Sequence, residues 1–375
     1  MPTGLQLSSE PAIRSTGTVL LADTADVASL NRRSGFQAIS GLVSVVAKRL
    51  FAAVIQLFIV SIVIFVVLRA MPADPTAMLL PPEASVEDLA ELRQALGLDK
   101  SVLAQYLIWV DNVLHGNFGQ STLLKQPVFV LIANALPMTL ELVFVGLTMG
   151  ITIGFALALS SFYWRGGLFE AGVNLFATIS QSIPEFLWGI LLVLVFGATL
   201  QLVPFTGPID PKFIIPSHTG FLLIDSLIDG QFDAFVSRLS HLLLAGLAIG
   251  LAKAPLVVWV LRSSLLEAYS DDYIMSARLR GLSESRILFG HALRNAVLPT
   301  ISLIGVQAGF TFGGTLLIEA IYSFPGLGNL MISAVRSHDL MLIQAITLTY
   351  CAVVLIMSAT VDLIYLWANP RLRLQ

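Results

Sequence analysis

At 375 residues the chain is 56% hydrophobic and only 12% charged, with a mean hydropathy of +0.84. Soluble domains carry about 25% charged residues, so this composition excludes a soluble enzyme or a nucleic-acid binder and sets an integral membrane protein. The net charge of −3 names no partner, and the one cysteine, Cys351, lies in an apolar run with no internal partner for a disulfide.

Residues 1–40 are polar and lack the basic start and adjoining apolar core of a secretory signal; residues 1–45 are expected to form a flexible cytoplasmic tail ahead of a transmembrane domain over 46–375. A spanning helix needs roughly 20 predominantly apolar residues. Six segments qualify: Leu50–Leu68, Met138–Phe162, Ala171–Leu202, Leu242–Leu261, Val297–Leu317 and Leu340–Trp367. The spacing therefore predicts an all-α membrane protein with six transmembrane helices. Between the first two spans, a loop over 69–137 holds a predicted helix at Val86–Leu96, stopped by Gly97, and a second at Tyr106–Leu114. The third segment is too long for a straight span and carries Pro184 in its middle, which predicts a tilt or kink there.

Small residues recur every fourth position at Gly146, Gly150 and Gly154, at Gly246 and Gly250, and at Gly305, Gly309 and Gly313. In lipid such rows let helix backbones approach closely, and close packing is the expectation. Basic residues next to the spans, among them Lys48, Arg49, Arg165, Arg262, Arg278, Arg280, Arg286, Arg294, Arg371 and Arg373, place both termini in the cytoplasm.

The loop over 267–298 is basic and amphipathic in a chain otherwise poor in charge. Asp272–Leu279 reads as a helix broken by Gly281. A second helix starts at Ser283, which can cap it, with Glu284 suited to the positive end of the dipole. Ile287, Leu288 and Leu293 give it an apolar stripe, Arg286 and Arg294 its charge, and Pro299 marks the start of the fifth span. Periodicity alone equally allows an amphipathic segment lying on anionic lipid.

Charges inside spans are costly unless paired or hydrated. Lys253 either lines a wet pathway or pairs with Asp362 or Glu185, and Glu141 is expected to reach the outer interface. Lys253, Glu185 and Asp362 are thus the candidate residues of a translocation path. No GxxxxGK[ST], HExxH, GxSxG or CxxC pattern occurs, so the chain itself is expected to bind neither ATP nor a cofactor. His115, His218, His241, His291 and His338 are scattered without metal-ligand spacing, and no metal site is expected.

The loop resembles the one by which ABC importer permeases dock onto their ATPases, in the dipeptide, oligopeptide and nickel branch. Ala277, Gly281 and Pro299 fill its motif positions, and the run His291–Ala296 matches as well. The likeness extends over 45–375: Arg69–Pro75, Leu96–Asp99, Gln105, Tyr106, Trp109, Gly116–Ser121, Ser182–Gly189, Pro325–Gly328 and Asn369–Arg371 resemble the family's patterns. Ala73, Lys100, Asn117, Lys253 and Leu340–Met341 depart from them.

The resemblance implies a type I ABC importer permease fold with a coupling helix between spans four and five, in a bacterial inner membrane. It assigns ATPase coupling to Ala277, Arg278, Gly281, Leu282, Ser283, Arg286, Ile287, His291 and Arg294. It further implies a second homologous permease, two cytoplasmic ATPases that use ATP and Mg, and an extracytoplasmic substrate-binding protein. An alternative is a secondary transporter working without an ATPase, for which Glu185 is the obvious coupling carboxylate.

Overall fold

The computed structural model describes residues 24–70 and 99–368, and these are built from helices, with one isolated bridge between Gln120 and Pro127. The predicted helix Val86–Leu96, the motif positions over 71–75, 96–98 and 369–371, and residues 1–23 lie outside the described residues. In chain order the helices are α1 (Thr24–Ala70), α2 (Val102–Leu114), α3 (Val128–Tyr163), α4 (Leu168–Ser182) and α5 (Glu185–Thr199). They continue with α6 (Leu222–Ile228), α7 (Phe232–Ser270), α8 (Asp272–Leu279), α9 (Glu284–Tyr322), α10 (Leu327–Arg336) and α11 (Leu340–Ala368). Helix α1 starts ahead of residue 46, where the transmembrane domain was expected to begin.

Among the described residues five helices are long and apolar enough to cross a membrane, and α4 with α5 makes a sixth crossing if the pair is one span. That pair is broken rather than kinked, with a bend of 103°. The physical cause is Pro184: it donates no backbone hydrogen bond, and it forces the residue before it out of helical geometry. Ile183 accordingly sits at φ −94° and ψ 120°.

The other helices run past the apolar windows. Helix α7 has 39 residues where about 20 suffice to cross, and its first turns carry Arg238 and His241. Apolarity marks where hydrocarbon must be, whereas a helix ends where its backbone bonds can be replaced. In α2, Ser101 caps the start by accepting a bond from the Ala104 amide.

The glycine rows place α3 against α7. A Cβ on Gly150 would lie 3.1 Å from the Gly250 carbonyl oxygen, and one on Gly250 would lie 3.0 Å from the Gly150 amide nitrogen. Gly146 and Gly154 on α3 receive Ile249 and Val257 of α7, while Gly246 of α7 receives Val145 and Met149 of α3. The third row divides. Gly305 and Gly309 accommodate Val361 and Val354 of α11, but Gly313 faces open space. Close packing thus accounts for these glycines except Gly313.

Because the atoms opposing Gly250 include rigid backbone, Gly250→Ala should force α3 and α7 apart at a cost of about 1–3 kcal/mol. Gly172→Ala in α4, where a Cβ meets nothing within 4 Å, should instead leave stability unchanged or raise it by about 0.4–1 kcal/mol. Thermal unfolding midpoints of the two purified variants in detergent, compared with the wild type, check both directions.

Candidate functional site

One end of the bundle is made by the closing turns of α3 and α7, by α8, and by the start of α9. Helix α8 ends in a Schellman arrangement. The Leu282 amide donates to the Ala277 carbonyl at 3.3 Å, and the Gly281 amide donates to the Arg278 carbonyl at 2.9 Å. That geometry needs a left-handed residue after the cap, and Gly281 supplies it with φ +74°.

Across the turn, Arg278 Nε donates to Glu284 Oε1 at 2.7 Å, and this bond holds the guanidinium above its ordinary pKa. The guanidinium also lies 5.6 Å from the Tyr269 ring centroid. Asn295 of α9 donates to the Tyr273 hydroxyl of α8 at 3.2 Å. Helix α8 and the start of α9 are thereby fixed as one unit.

The unit is seated by its apolar side. Ile274, Ala277, Ile287, Leu288 and Ala292 are buried among Ala158, Phe162, Leu261, Leu265 and Ala268. Of the residues that the sequence assigned to coupling, Ala277 and Ile287 therefore face the bundle and act as its anchor. Leu282 is half-buried, while Arg278, Gly281, Ser283, Arg286, His291 and Arg294 are exposed. Met275, Leu279 and Phe289 share that exposure, with Leu279 81% accessible. The outward surface is thus apolar and basic together.

Two local expectations change. Ser283 precedes Glu284 as expected, but its hydroxyl makes no capping bond and lies 3.4 Å from the Ser285 hydroxyl. Glu284 is engaged by Arg278 instead. The second loop helix and the fifth span are also a single helix, α9, in which Pro299 is an internal residue. A π-turn at Leu288–Ala292 precedes that proline.

Among the candidate path residues, Lys253 Nζ lies 3.1 Å from Glu185 Oε2, with the two side chains 17% and 16% exposed. Asp362 stands apart from them and pairs with Arg49 at 3.1 Å. Glu141 is paired within the bundle. It is buried, accepts from Arg238 Nε at 3.0 Å and from the Leu223 amide at 2.8 Å, and so ties α3 to α7 and α6. Arg238, fully buried, also donates to the Pro208 carbonyl at 2.9 Å.

Sequence reading overlooked Arg238 and Glu319, because both lie just beyond the apolar windows that define spans. Glu319, at the end of α9, accepts from the Thr139 hydroxyl at 2.7 Å and from the Gly328 amide at 2.7 Å. It thereby fastens the Pro325–Gly328 turn. Asp339 does the same for the segment before α3, accepting from Ser121 at 2.6 Å and from the Thr122 amide at 2.8 Å. Asp225 of α6 accepts from Thr219, Gly220 and His218. Burial raises the pKa of that carboxyl, and these bonds outweigh burial and hold it below its ordinary value.

Residues 150–374 match the family described as binding-protein-dependent transport system inner membrane component, and residues 42–143 match the N-terminal region of such membrane components. The chain is 33% identical to the di/tripeptide transport system permease protein DppB of Pseudomonas aeruginosa, over 89% of this chain and 100% of that protein. It is 31% identical to the probable D,D-dipeptide transport system permease protein DdpB of Escherichia coli, over 88% of this chain and 97% of that one. It is 30% identical to the glutathione transport system permease protein GsiC of Salmonella choleraesuis, over 88% and 99%. A chain of the MetNI methionine ABC transporter overlays with a TM-score of 0.49 at 15% identity, covering 64% of this chain and 96% of that one. The family match and the permease relatives set aside the secondary-transporter alternative.

Ile287→Ala removes an anchor that is wholly buried, at a cost of about 2–5 kcal/mol. The loop should then detach locally while the spans stay folded. Trypsin cleavage at the exposed Arg280 and Arg286 is expected to quicken in detergent-solubilised protein; an unchanged rate would show that the loop is held by other contacts.

Proposed function

The chain belongs to the family of binding-protein-dependent transport system inner membrane components, and from that premise we propose how this subunit of an ABC importer works. It forms half of a translocation pathway, and a second, homologous permease supplies the other half. Two cytoplasmic ATPases, using ATP and Mg, dock on the exposed face of α8 and the start of α9. An extracytoplasmic binding protein delivers cargo at the opposite end, around α6 and α10. Both termini and the α8 turn are then cytoplasmic. The cargo class is small peptides or related solutes, as the names of the relatives suggest.

The observation that carries this reading is the continuity of α9. It runs for 39 residues from Glu284 to Tyr322, about 58 Å at 1.5 Å per residue. A push on the α8–Gly281 turn is delivered along one rod to the far end, where Glu319 fastens the Pro325–Gly328 turn. Closure of the ATPase pair on ATP binding moves the turn, the two permeases rock, and the shared cavity changes the side it faces. Hydrolysis resets the pair. Arg278, Gly281, Leu282, Ser283, Arg286, His291 and Arg294 carry the contact, and Ala277 and Ile287 transmit it into the bundle.

Two experiments test this. Affinity purification of the tagged protein from solubilised native membranes should recover a second permease and ATPase subunits; recovery of the chain alone would count against the assembly. Gly281→Asp should abolish uptake while leaving membrane insertion intact, because a Cβ there meets nothing within 4 Å and only the backbone and the contact surface suffer. Gly281→Ala carries only the left-handed strain, about 1–2 kcal/mol, and should retain partial uptake. Normal transport by the aspartate variant would remove the turn from the mechanism.

A further inference from the structure

Among the described residues, the acids held inside the protein differ in how their oxygens are met. Glu141, Asp225, Glu319 and Asp339 are each met by several donors from the protein, including backbone amides. Their accepting capacity is taken up, and their role is to hold loops. Glu185 differs. Its Oε2 is shielded from solvent yet receives no hydrogen bond, although the Lys253 ammonium stands 3.1 Å away. Among the described residues neither side chain makes a further hydrogen bond. An ammonium has three donors and a carboxylate about four acceptor positions, so each member of the pair keeps most of its capacity unused.

The location of the pair gives that capacity a use. Lys253 lies near the middle of α7, and Glu185 opens α5 at the 103° break. A half-helix start of this kind adds the positive end of a helix dipole at that depth. Gly314 of α9 lies against the Glu185 carboxylate, where a Cβ would collide with it, and the neighbouring Gly313 faces open space. Both charged side chains keep some exposure. The pair is thus partly exposed beside a face of α9 that is open at Gly313, and inside a span, where a bare charge is costly, a charged ligand would be held strongly.

We propose that Lys253 and Glu185 form a cargo subsite for the two charged ends of a zwitterionic peptide. The Lys253 ammonium receives the peptide carboxylate, and the Glu185 carboxylate receives the peptide α-ammonium. Between cargoes the two side chains neutralise each other, which keeps the empty pathway free of an unpaired charge. This inference rests on the peptide reading proposed above and assigns its chemistry to two residues.

The test uses the whole transporter, this chain with its partner subunits and its binding protein, trapped with vanadate in the presence of an alanyl dipeptide bearing a diazirine side chain. After illumination, crosslinks are mapped by mass spectrometry and their yield is divided by the trapped nucleotide. In the wild type, crosslinks should fall on the first turn of α5, on α7 beside Lys253, or on Gly313 and Gly314. Lys253→Met and Glu185→Gln should each lower the normalised yield by about tenfold or more, the factor that one charge-assisted hydrogen bond supplies. Lys253→Arg and Glu185→Asp should retain most of it, which separates loss of a contact from loss of the fold. Crosslinks mapping elsewhere in this chain, or yields that both neutral variants leave within about twofold of wild type, would overturn the subsite. A wild-type complex that traps nucleotide but crosslinks no peptide on either permease would overturn the peptide reading itself.

Discussion

A charge in hydrocarbon must be paired or hydrated, at a cost of at least a few kcal/mol otherwise, and the arrangement of this bundle depends on how its ionised side chains meet that demand. Arg238 illustrates the rule. It is wholly buried, and Glu141, the Pro208 carbonyl and the face of Phe324 together surround it. Removing either member of such a pair leaves the other unpaired in low dielectric, which costs more than the pair contributes when intact. The Arg238–Glu141 pair therefore commits α3, α6, α7 and the segment over 200–221 to one relative placement.

The same logic orders the rest of the α6 end. Asp225, Glu319 and Asp339 each gather backbone amides from a neighbouring loop. Loops without regular structure have amides that no ladder satisfies, and a carboxylate supplies the missing acceptor. At the α8 end the solution is different, because Ile274, Ala277 and Ile287 hold the turn by apolar burial. One end is thus fixed by polar bonds of defined direction and the other by packing, which tolerates small rotations without a broken hydrogen bond. That asymmetry suits an end that moves under a push and an end that must keep its shape.

Much of this was legible in the amino-acid order. Six apolar windows marked five crossing helices and the broken α4–α5 pair, Gly281 marked the end of α8, and the glycine rows marked close packing, while the fold alone pairs α3 with α7. The limits of legibility have physical causes. A window of hydropathy ends where mean apolarity falls off, so Arg238 and Glu319 lie outside the predicted spans although the helices continue through them. Periodicity shows that Pro184 disturbs a helix but not by how much, since the 103° bend is set by what packs on either side. Ser283 had the residue type of a cap, yet its hydroxyl makes no capping bond, and Glu284 is bonded to Arg278. Lys253 had two acids within conceivable reach, and only the fold separates Glu185 from Asp362.

Helix α9 links these elements into one mechanical argument. Its first turn belongs to the packed unit with α8, its last third carries Gly313 and Gly314 beside the Glu185–Lys253 pair, and its last turn holds Glu319. A helix is stiff along its axis, so displacement at Glu284 reaches Glu319 unless something between them yields. Two features can yield: the π-turn at Leu288–Ala292 and the internal Pro299, each of which leaves the backbone ladder irregular. Both lie in the first half, close to the push. The second half, past Leu303, has neither and is an uninterrupted helix. Along it Gly313 has no opposing atoms, whereas Gly314 lies against Glu185 and the Glu319 carboxylate accepts several bonds. On the mechanism proposed above, a push along α9 would therefore meet its first resistance beside Glu185 and its last at the turn that Glu319 holds.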